Sequence, residues 1–248
     1  MKPAVFIPLL FIAGALLAVE VLVRVLAVPA YLLPPPSAVF QAADAALLRH
    51  LAVTLVEALA GFALASVCAF AGALLFVRHP TAEQGLFPIA ITLKTTPLVT
   101  IAPLLVLWMG TGWWSKIAAA ALISFFPVLV NTVKGLKAAD SEYFELFRTL
   151  RADGWQEFRK LRIPYCLPYL VSALKISSSL AIVGAIVGEF VGATQGLGYL
   201  IMISSAHLDT DVLFSAIFAA AAIGISLFHA LGWLERRVIF WQQLDLEP

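Results

Sequence analysis

Residues 51–77 read LAVTLVEALAGFALASVCAFAGALLFV, an apolar run that holds one acidic side chain, Glu57, and no basic one, and is closed by Arg78-His79-Pro80. About 20 mostly apolar residues cross the hydrocarbon of a bilayer as one helix, so the run is read as a membrane span. Gly61, Ala65 and Ala69 recur every four residues along it. Such a stripe of small side chains lets helices approach closely in lipid.

Other runs flank it. Residues 4–28 form a first span, with Glu20 and Arg24 spaced to pair on one helix face. Lys2 precedes that run, but the run exceeds the 7–15 apolar residues typical of a secretory leader. Leu33-Pro34-Pro35-Pro36-Ser37 predicts an extended connector, after which Ser37 is placed to cap a short helix over residues 38–49. Downstream, residues 85–109 are apolar but interrupted by Pro88, Pro97 and Pro103, and Gly110-Thr111-Gly112 predicts a tight turn. Residues 114–133, with a kink expected near Pro127, 167–191 and 212–234 complete the set. Residues 192–211 are expected as a connector, with Asp209 and Asp211 placed to cap the last span. The expectation is an all-α integral membrane protein of six transmembrane helices. No linker or composition shift divides it, so residues 1–248 are read as a single transmembrane domain.

Composition agrees: 62% of the 248 residues are hydrophobic and 12% charged. Soluble domains average about 25% charged residues, and too little polar surface remains here to cover a core in water. A net charge of +1 offers no argument for nucleic-acid binding. Cys68 and Cys166 suggest no disulfide framework, and His50, His79, His207 and His229 are scattered without metal-ligand spacing. Six spans put both ends on one side, together with Lys2, Arg78, Lys134, Lys137, Arg148, Arg151, Arg159, Lys160, Arg162, Arg236 and Arg237. The other side has Arg49, Arg24 and Lys116. The excess marks the first side, with both termini, as cytoplasmic.

The one long polar stretch is residues 134–162. Within it Tyr143, Phe144, Phe147, Leu150 and Trp155 fall near helical spacing, opposite Glu142, Glu145, Arg148, Arg151, Asp153 and Glu157. This reads as two short amphipathic helices at the cytoplasmic surface, suited to a partner's groove. Asp140 or Ser141 is placed to cap the first, and Asp153-Gly154 predicts the turn between them.

Residues 145–155, Glu-Leu-Phe-Arg-Thr-Leu-Arg-Ala-Asp-Gly-Trp, followed by Phe158, Leu161, Ile163, Pro164, Leu167 and Pro168, resemble the EAA loop of ABC-importer permeases. Residues 33–39, Thr96 to Leu104 with Trp108 and Gly110-Thr111-Gly112, Gly188-Glu189-Phe190-Val191-Gly192-Ala193, and Gly196-Leu197-Gly198-Tyr199-Leu200 resemble the nitrate/sulfonate/taurine branch of that family. The likeness spans roughly residues 30–235 in the family's order. It departs where Leu146 and Phe147 stand for the two alanines and Arg151 for the glycine, with Gly154 three residues later.

The resemblance implies a type I ABC importer permease fold, methionine-importer-like, in the bacterial cytoplasmic (inner) membrane. It implies a second permease copy, making a homodimer around one path, and an ABC ATPase dimer that carries ATP and Mg²⁺. It also implies a periplasmic or lipid-anchored solute-binding protein that delivers a sulfonate/taurine, nitrate or pyrimidine/aromatic-type solute. Residues 140–163 become the coupling element, with Glu145, Phe147, Arg148, Arg151, Asp153, Gly154 and Trp155 docking the ATPase. No G-x-x-x-x-G-K-[ST] segment occurs, so the chain is not read as an enzyme and needs no cofactor of its own. A secondary transporter or channel without an ATPase is the competing reading. It calls for inverted repeats, and no convincing repeat is visible.

Charges inside spans default to function. Glu57 and Lys94 form a buried pair or lie near span ends. Lys94, Thr95, Thr96, Ser178 and Glu189 are candidates for the translocation path or gate, although the hydroxyls could equally bond back to their own helices. Gly61, Gly184, Gly188 and Gly192 are assigned to helix packing, within the chain or at a subunit interface or pore.

Overall fold

The computed structural model describes residues 3–239, which are helical with no strand among them. Lys2 and the residues beyond 239 lie outside the described part. The order is α1 (Pro3–Val25), α2 (Pro36–Gln41), α3 (Ala45–Arg78), α4 (Pro80–Thr95), α5 (Leu98–Met109), α6 (Trp113–Leu136), α7 (Ser141–Thr149), α8 (Gly154–Glu157), a π-helical turn (Phe158–Arg162), α9 (Ile163–Glu189), α10 (Leu197–His207) and α11 (Thr210–Val238).

Four continuous helical runs are long and apolar enough to cross a membrane: α3, α6, residues 154–189 and α11. The pair α4 and α5 is bent by 101° and can make a fifth. Only Pro97 breaks that pair, because its ring forbids the helical conformation at Thr96 (ψ 124°). Pro88 and Pro103 remain inside their helices.

The boundaries differ from the sequence reading in three places. Ser37 caps no helix, because the Glu20 carboxylate accepts both its N–H (2.9 Å) and its hydroxyl (2.8 Å). Glu20 also takes Arg24, as the four-residue spacing predicts (2.6 Å). The chain breaks after α2, and Asp44 caps α3 by accepting the N–H of Leu47 (2.9 Å), so the second span begins at Ala45. The expected connector over 192–211 contains a helix, α10, too short to span. Asp209 stands at the head of α11 without a side-chain cap, and Asp211 accepts from Val212 N–H (2.9 Å).

The core is built around α6, against which α3 and α9 pack most extensively. Their contact face is small: Ala58, Gly61, Ala65, Ala69 and Ala73 on α3 are buried, as are Ala119 and Ala120 on α6 and Ala181, Gly184, Ala185 and Gly188 on α9. A Cβ on Gly61 would sit 2.5 Å from the Ala120 Cβ, and one on Gly184 would sit 2.7 Å from the Ala120 Cα. One alanine of α6 is thus pinched between two glycines. Ser124 and Ser177 exchange hydroxyl-to-carbonyl bonds across the α6–α9 contact (3.2 and 3.0 Å). Where water is absent, close backbone packing and such bonds hold helices together. By contrast α1 and α11 leave many large apolar side chains exposed, as befits lipid-facing helices.

Gly184→Val should overpack this crossing and cost about 1–3 kcal/mol. Gly85→Val is the control, since no atom lies within 4 Å of a Cβ built there. Melting of the detergent-solubilised protein should show a lowered midpoint for Gly184→Val alone. Equal midpoints for both variants would contradict the packing described.

Candidate functional site

Three places concentrate polar chemistry, and the first is the element between α6 and α9. α7 ends in a left-handed turn: Arg151 N–H donates to Arg148 O (3.0 Å), Ala152 N–H donates to Phe147 O (2.9 Å), and Arg151 has φ +52°. This pair of bonds is the Schellman helix end, whose left-handed position ordinarily holds glycine. The turn has therefore not shifted to Asp153-Gly154. Asp153 instead begins α8 with a reciprocal cap, its Oδ1 accepting Gln156 N–H (2.7 Å) while Gln156 Oε1 accepts Asp153 N–H (3.3 Å). That cap fixes where α8 starts and leaves residues 150–152 to reverse the chain.

Arg162 fastens the element to the core. It bonds Glu157 (2.9 Å) and the Leu136 carbonyl at the end of α6 (3.2 Å), and lies 4.7 Å from the centre of the Phe144 ring. Glu145, Arg148, Arg151, Asp153, Gly154 and Trp155 are exposed and Phe147 is half-buried. Arg148 and Arg151 form no ion pair among the described residues. Leu146, Leu150 and Trp155 are 51–68% exposed, an apolar patch on an otherwise polar element. Trp155 stacks on Phe158 (5.8 Å between centres), and both line a cavity of about 570 Å³ with Leu74, Val77 and Arg78 at the end of α3.

The second place is the α4–α5 break. Lys94, Thr95, Thr96, Pro97, Leu98 and Phe126 line a cavity of about 200 Å³ there, with the Lys94 ammonium 4.8 Å from the centre of the Phe126 ring. Lys94 is thus paired with an aromatic face and not with Glu57. Thr95 and Thr96 are exposed, and both hydroxyls donate to the Thr92 carbonyl (2.9 and 3.0 Å).

The third place is a buried polar network at the other end of α9. Gly196, Leu197 and Gly198, at the head of α10, donate their N–H groups to three side chains: His50 Nδ1 (3.0 Å), Thr54 Oγ1 (2.7 Å) and Glu189 Oε2 (2.5 Å). Thr54 in turn donates to Glu189 Oε1 (2.6 Å). A helix start otherwise leaves these N–H groups without partners, and here α3 and α9 supply the cap. Gly196 (φ +110°) cannot carry a side chain, because its Cβ would strike the Glu189 carboxyl. Glu57 lies beside Glu189, and Lys116 nearby donates to the Thr111 carbonyl (2.5 Å). Thr54, Glu57, Lys116 and Glu189 are all nearly inaccessible.

The structure thus gathers the seven docking candidates into one element and separates the five path candidates. Lys94, Thr95 and Thr96 share the break. Ser178 is buried and bonds back to the Lys175 carbonyl (2.8 Å), and Glu189 belongs to the network. A Cβ on Gly188 would sit 3.1 Å from the Lys116 Cα, and one on Gly192 (φ +70°) would sit 3.1 Å from the Thr111 side chain. Residues not singled out for these roles are Arg162, Thr54, His50 and Lys116. The spacing of Thr54 and Glu57, three apart on one helix face and buried with it, is the local signal for the network.

Comparison with known proteins is consistent with this geometry. The sequence model of the family described as binding-protein-dependent transport system inner membrane component matches residues 61–240. The formylaminopyrimidine transport permease of Halalkalibacterium halodurans is 35% identical over 240 residues, 95% of this chain and 96% of that protein. The riboflavin transport system permease of Chloroflexus aurantiacus is 36% identical over 86% of this chain and 82% of its own length. The taurine transport system permease of Escherichia coli is 28% identical over 84% and 80%. Among solved structures, a chain of the inward-facing MetNI methionine ABC transporter superposes with a TM-score of 0.62 at 22% identity, covering 78% of this chain and 94% of that one.

Thr54→Val, which keeps the shape and deletes the hydroxyl, leaves the Leu197 N–H and one Glu189 oxygen without this partner. The expected loss is about 1–3 kcal/mol, with faster amide exchange at residues 197–200, while Thr54→Ser restores protection. Unchanged exchange in Thr54→Val would show that the cap does not hold α10.

Proposed function

This chain belongs to the binding-protein-dependent transport system inner membrane components and is the permease subunit of an ABC importer, and we propose how it assembles and works. α1, 23 residues long and apolar, serves as the sixth span beside the four long helices and the bent pair. Both termini and the α7–α8 element face the cytoplasm, in keeping with the lysines and arginines gathered there. Two copies pair about a twofold axis, the commonest closed assembly.

An ATPase dimer, carrying ATP and Mg²⁺, grips the two α7–α8 elements. A solute-binding protein delivers cargo at the opposite face. ATP binding draws the α7–α8 elements together, and α9, which starts beside them, carries the displacement to the outer end, where Glu189 holds α10. The second permease copy supplies the other wall of the path, and Lys94, Thr95 and Thr96 line this chain's share of it.

The observation that carries this reading is the Schellman turn at Arg151. It presents unpaired Arg148 and Arg151 beside exposed Leu146, Leu150 and Trp155, on an element that Arg162 fastens to α6. Charges able to meet acidic groups at the rim of an aromatic anchor are the composition of a protein interface.

Co-purification of the full-length permease with the ABC ATPase of its importer tests the reading. Wild type should yield a complex in which ATP hydrolysis is measurable. The double variant Arg148→Glu, Arg151→Glu should lose at least about tenfold of the bound ATPase, since it replaces attraction by like-charge repulsion. Arg151→Gly, which suits the left-handed turn, should keep the element folded and lose less. Equal ATPase recovery from wild type and the double variant would remove this surface from the docking site.

A further inference from the structure

Lys94 stands out among the basic side chains of the transmembrane core. Its neighbour Phe126 lies 13 residues from the start of α6 and 10 from its end, which is about 20 Å and about 15 Å along the helix. The pair therefore sits near the middle of a hydrocarbon layer about 30 Å thick. Phospholipid headgroups are out of reach there, and Lys94 is exposed on the surface of the chain. A lysine at this depth facing lipid is strongly disfavoured, so such side chains face water or another chain.

Among its described residues, a second copy offers no counter-charge at this depth. Among the described residues, Glu57 and Glu189 are enclosed in the network, and Glu20, Glu83, Glu157 and Glu235 are taken by Arg24, Lys137, Arg162 and Lys175. Every other described carboxylate lies at a helix end near a membrane surface or in the α7–α8 element. No acidic residue lines the cavity at the break. The α5 helix begins there, at Leu98, and α4 ends there, at Thr95, so the two helix-end potentials oppose one another and the ammonium is the one full charge at the break.

We propose that Lys94 faces the aqueous path and makes the permease itself select small organic anions, whose sulfonate or carboxylate passes beside the ammonium while the remaining atoms cross over Phe126. This rests on the importer reading above. It assigns to the membrane subunit a charge filter that acts on cargo after the solute-binding protein has released it.

The test requires no knowledge of the cargo. In the full-length permease with its ATPase, reconstituted in lipid nanodiscs, Cys68→Ser removes the exposed native thiol and Cys166 stays buried. Thr95→Cys or Leu98→Cys then places a thiol in the cavity wall. Each is reacted with an anionic sulfonatoethyl and a cationic trimethylammonioethyl methanethiosulfonate, without nucleotide and with ATP. The anion-to-cation rate ratio, normalised to a free thiol, should fall about tenfold on Lys94→Met, as expected for losing a nearby charge in a partly desolvated site. It should be restored by Lys94→Arg and fall further in Lys94→Glu.

A ratio unmoved by Lys94→Met overturns the proposal. So does a failure of both thiols to react in either nucleotide state, which would place the break against lipid or protein. Loss of ATPase from the wild-type complex would instead count against the docking reading, and the rate ratio can still be read on the permease alone.

Discussion

Everything in this molecule depends on how closely three helices approach at Ala120. Lipid gives helices no hydrophobic reason to associate, so attraction must come from dispersion and polar contacts that act only at short range. Gly61 from α3 and Gly184 from α9 meet that alanine from two sides, with no room for a methyl group on either glycine. The reciprocal Ser124–Ser177 bonds and the half-buried Lys175–Glu235 pair (2.8 Å) extend the same logic, the latter carrying α11 onto α9. α9 thus joins the core to both of its ends.

Those two ends are handled differently. At one, Arg162 bonds the last carbonyl of α6 and holds the α7–α8 element with its exposed face turned outward. At the other, His50, Thr54 and Glu189, from two separate helices, accept the N–H groups of Gly196 before α10 and of its first two residues, Leu197 and Gly198. A short helix tied this way cannot move independently of α3 and α9 without leaving buried donors unpaired, a cost that favours motion of the assembly as a body. One continuous helical run, residues 154–189, links the α7–α8 element to the anchor of α10.

Much of this could be read from the residues, and the failures are instructive. The long spans were legible because α3, α6, α9 and α11 coincide with long, mostly apolar runs; the prolines of residues 85–109 signalled an interruption, but not that Pro97 alone would break the helix while Pro88 and Pro103 stay inside theirs. Boundaries failed where a distant side chain intervened: Glu20, far away in sequence, takes Ser37 from its expected cap. The turn between α7 and α8 failed for a local reason. Gly154 drew the turn toward itself by its conformational freedom, yet the Asp153–Gln156 cap claims that glycine for the first position of α8 and pushes the left-handed residue back to Arg151. The polar network was not legible as a unit, since its members are up to 146 residues apart.

Three lysines in the transmembrane region show how structure separates scaffold from site. Lys116 is buried beside two carboxyls and donates to the Thr111 carbonyl, while Lys175 is paired with Glu235 and lies over Phe228. Both belong to the scaffold, because their charges are answered within the chain. Lys94 has an aromatic face, two threonines whose hydroxyl protons are already committed to backbone, and no carboxylate. A charge kept unanswered at mid-depth is tolerable only beside water, and it leaves that water positively biased. Lys94 lies in the last turn of α4, and the bend at Pro97 sets Thr96, Pro97 and Leu98 beside it as the walls of one cavity. The proline that interrupts the span and the lysine just before it therefore form one device.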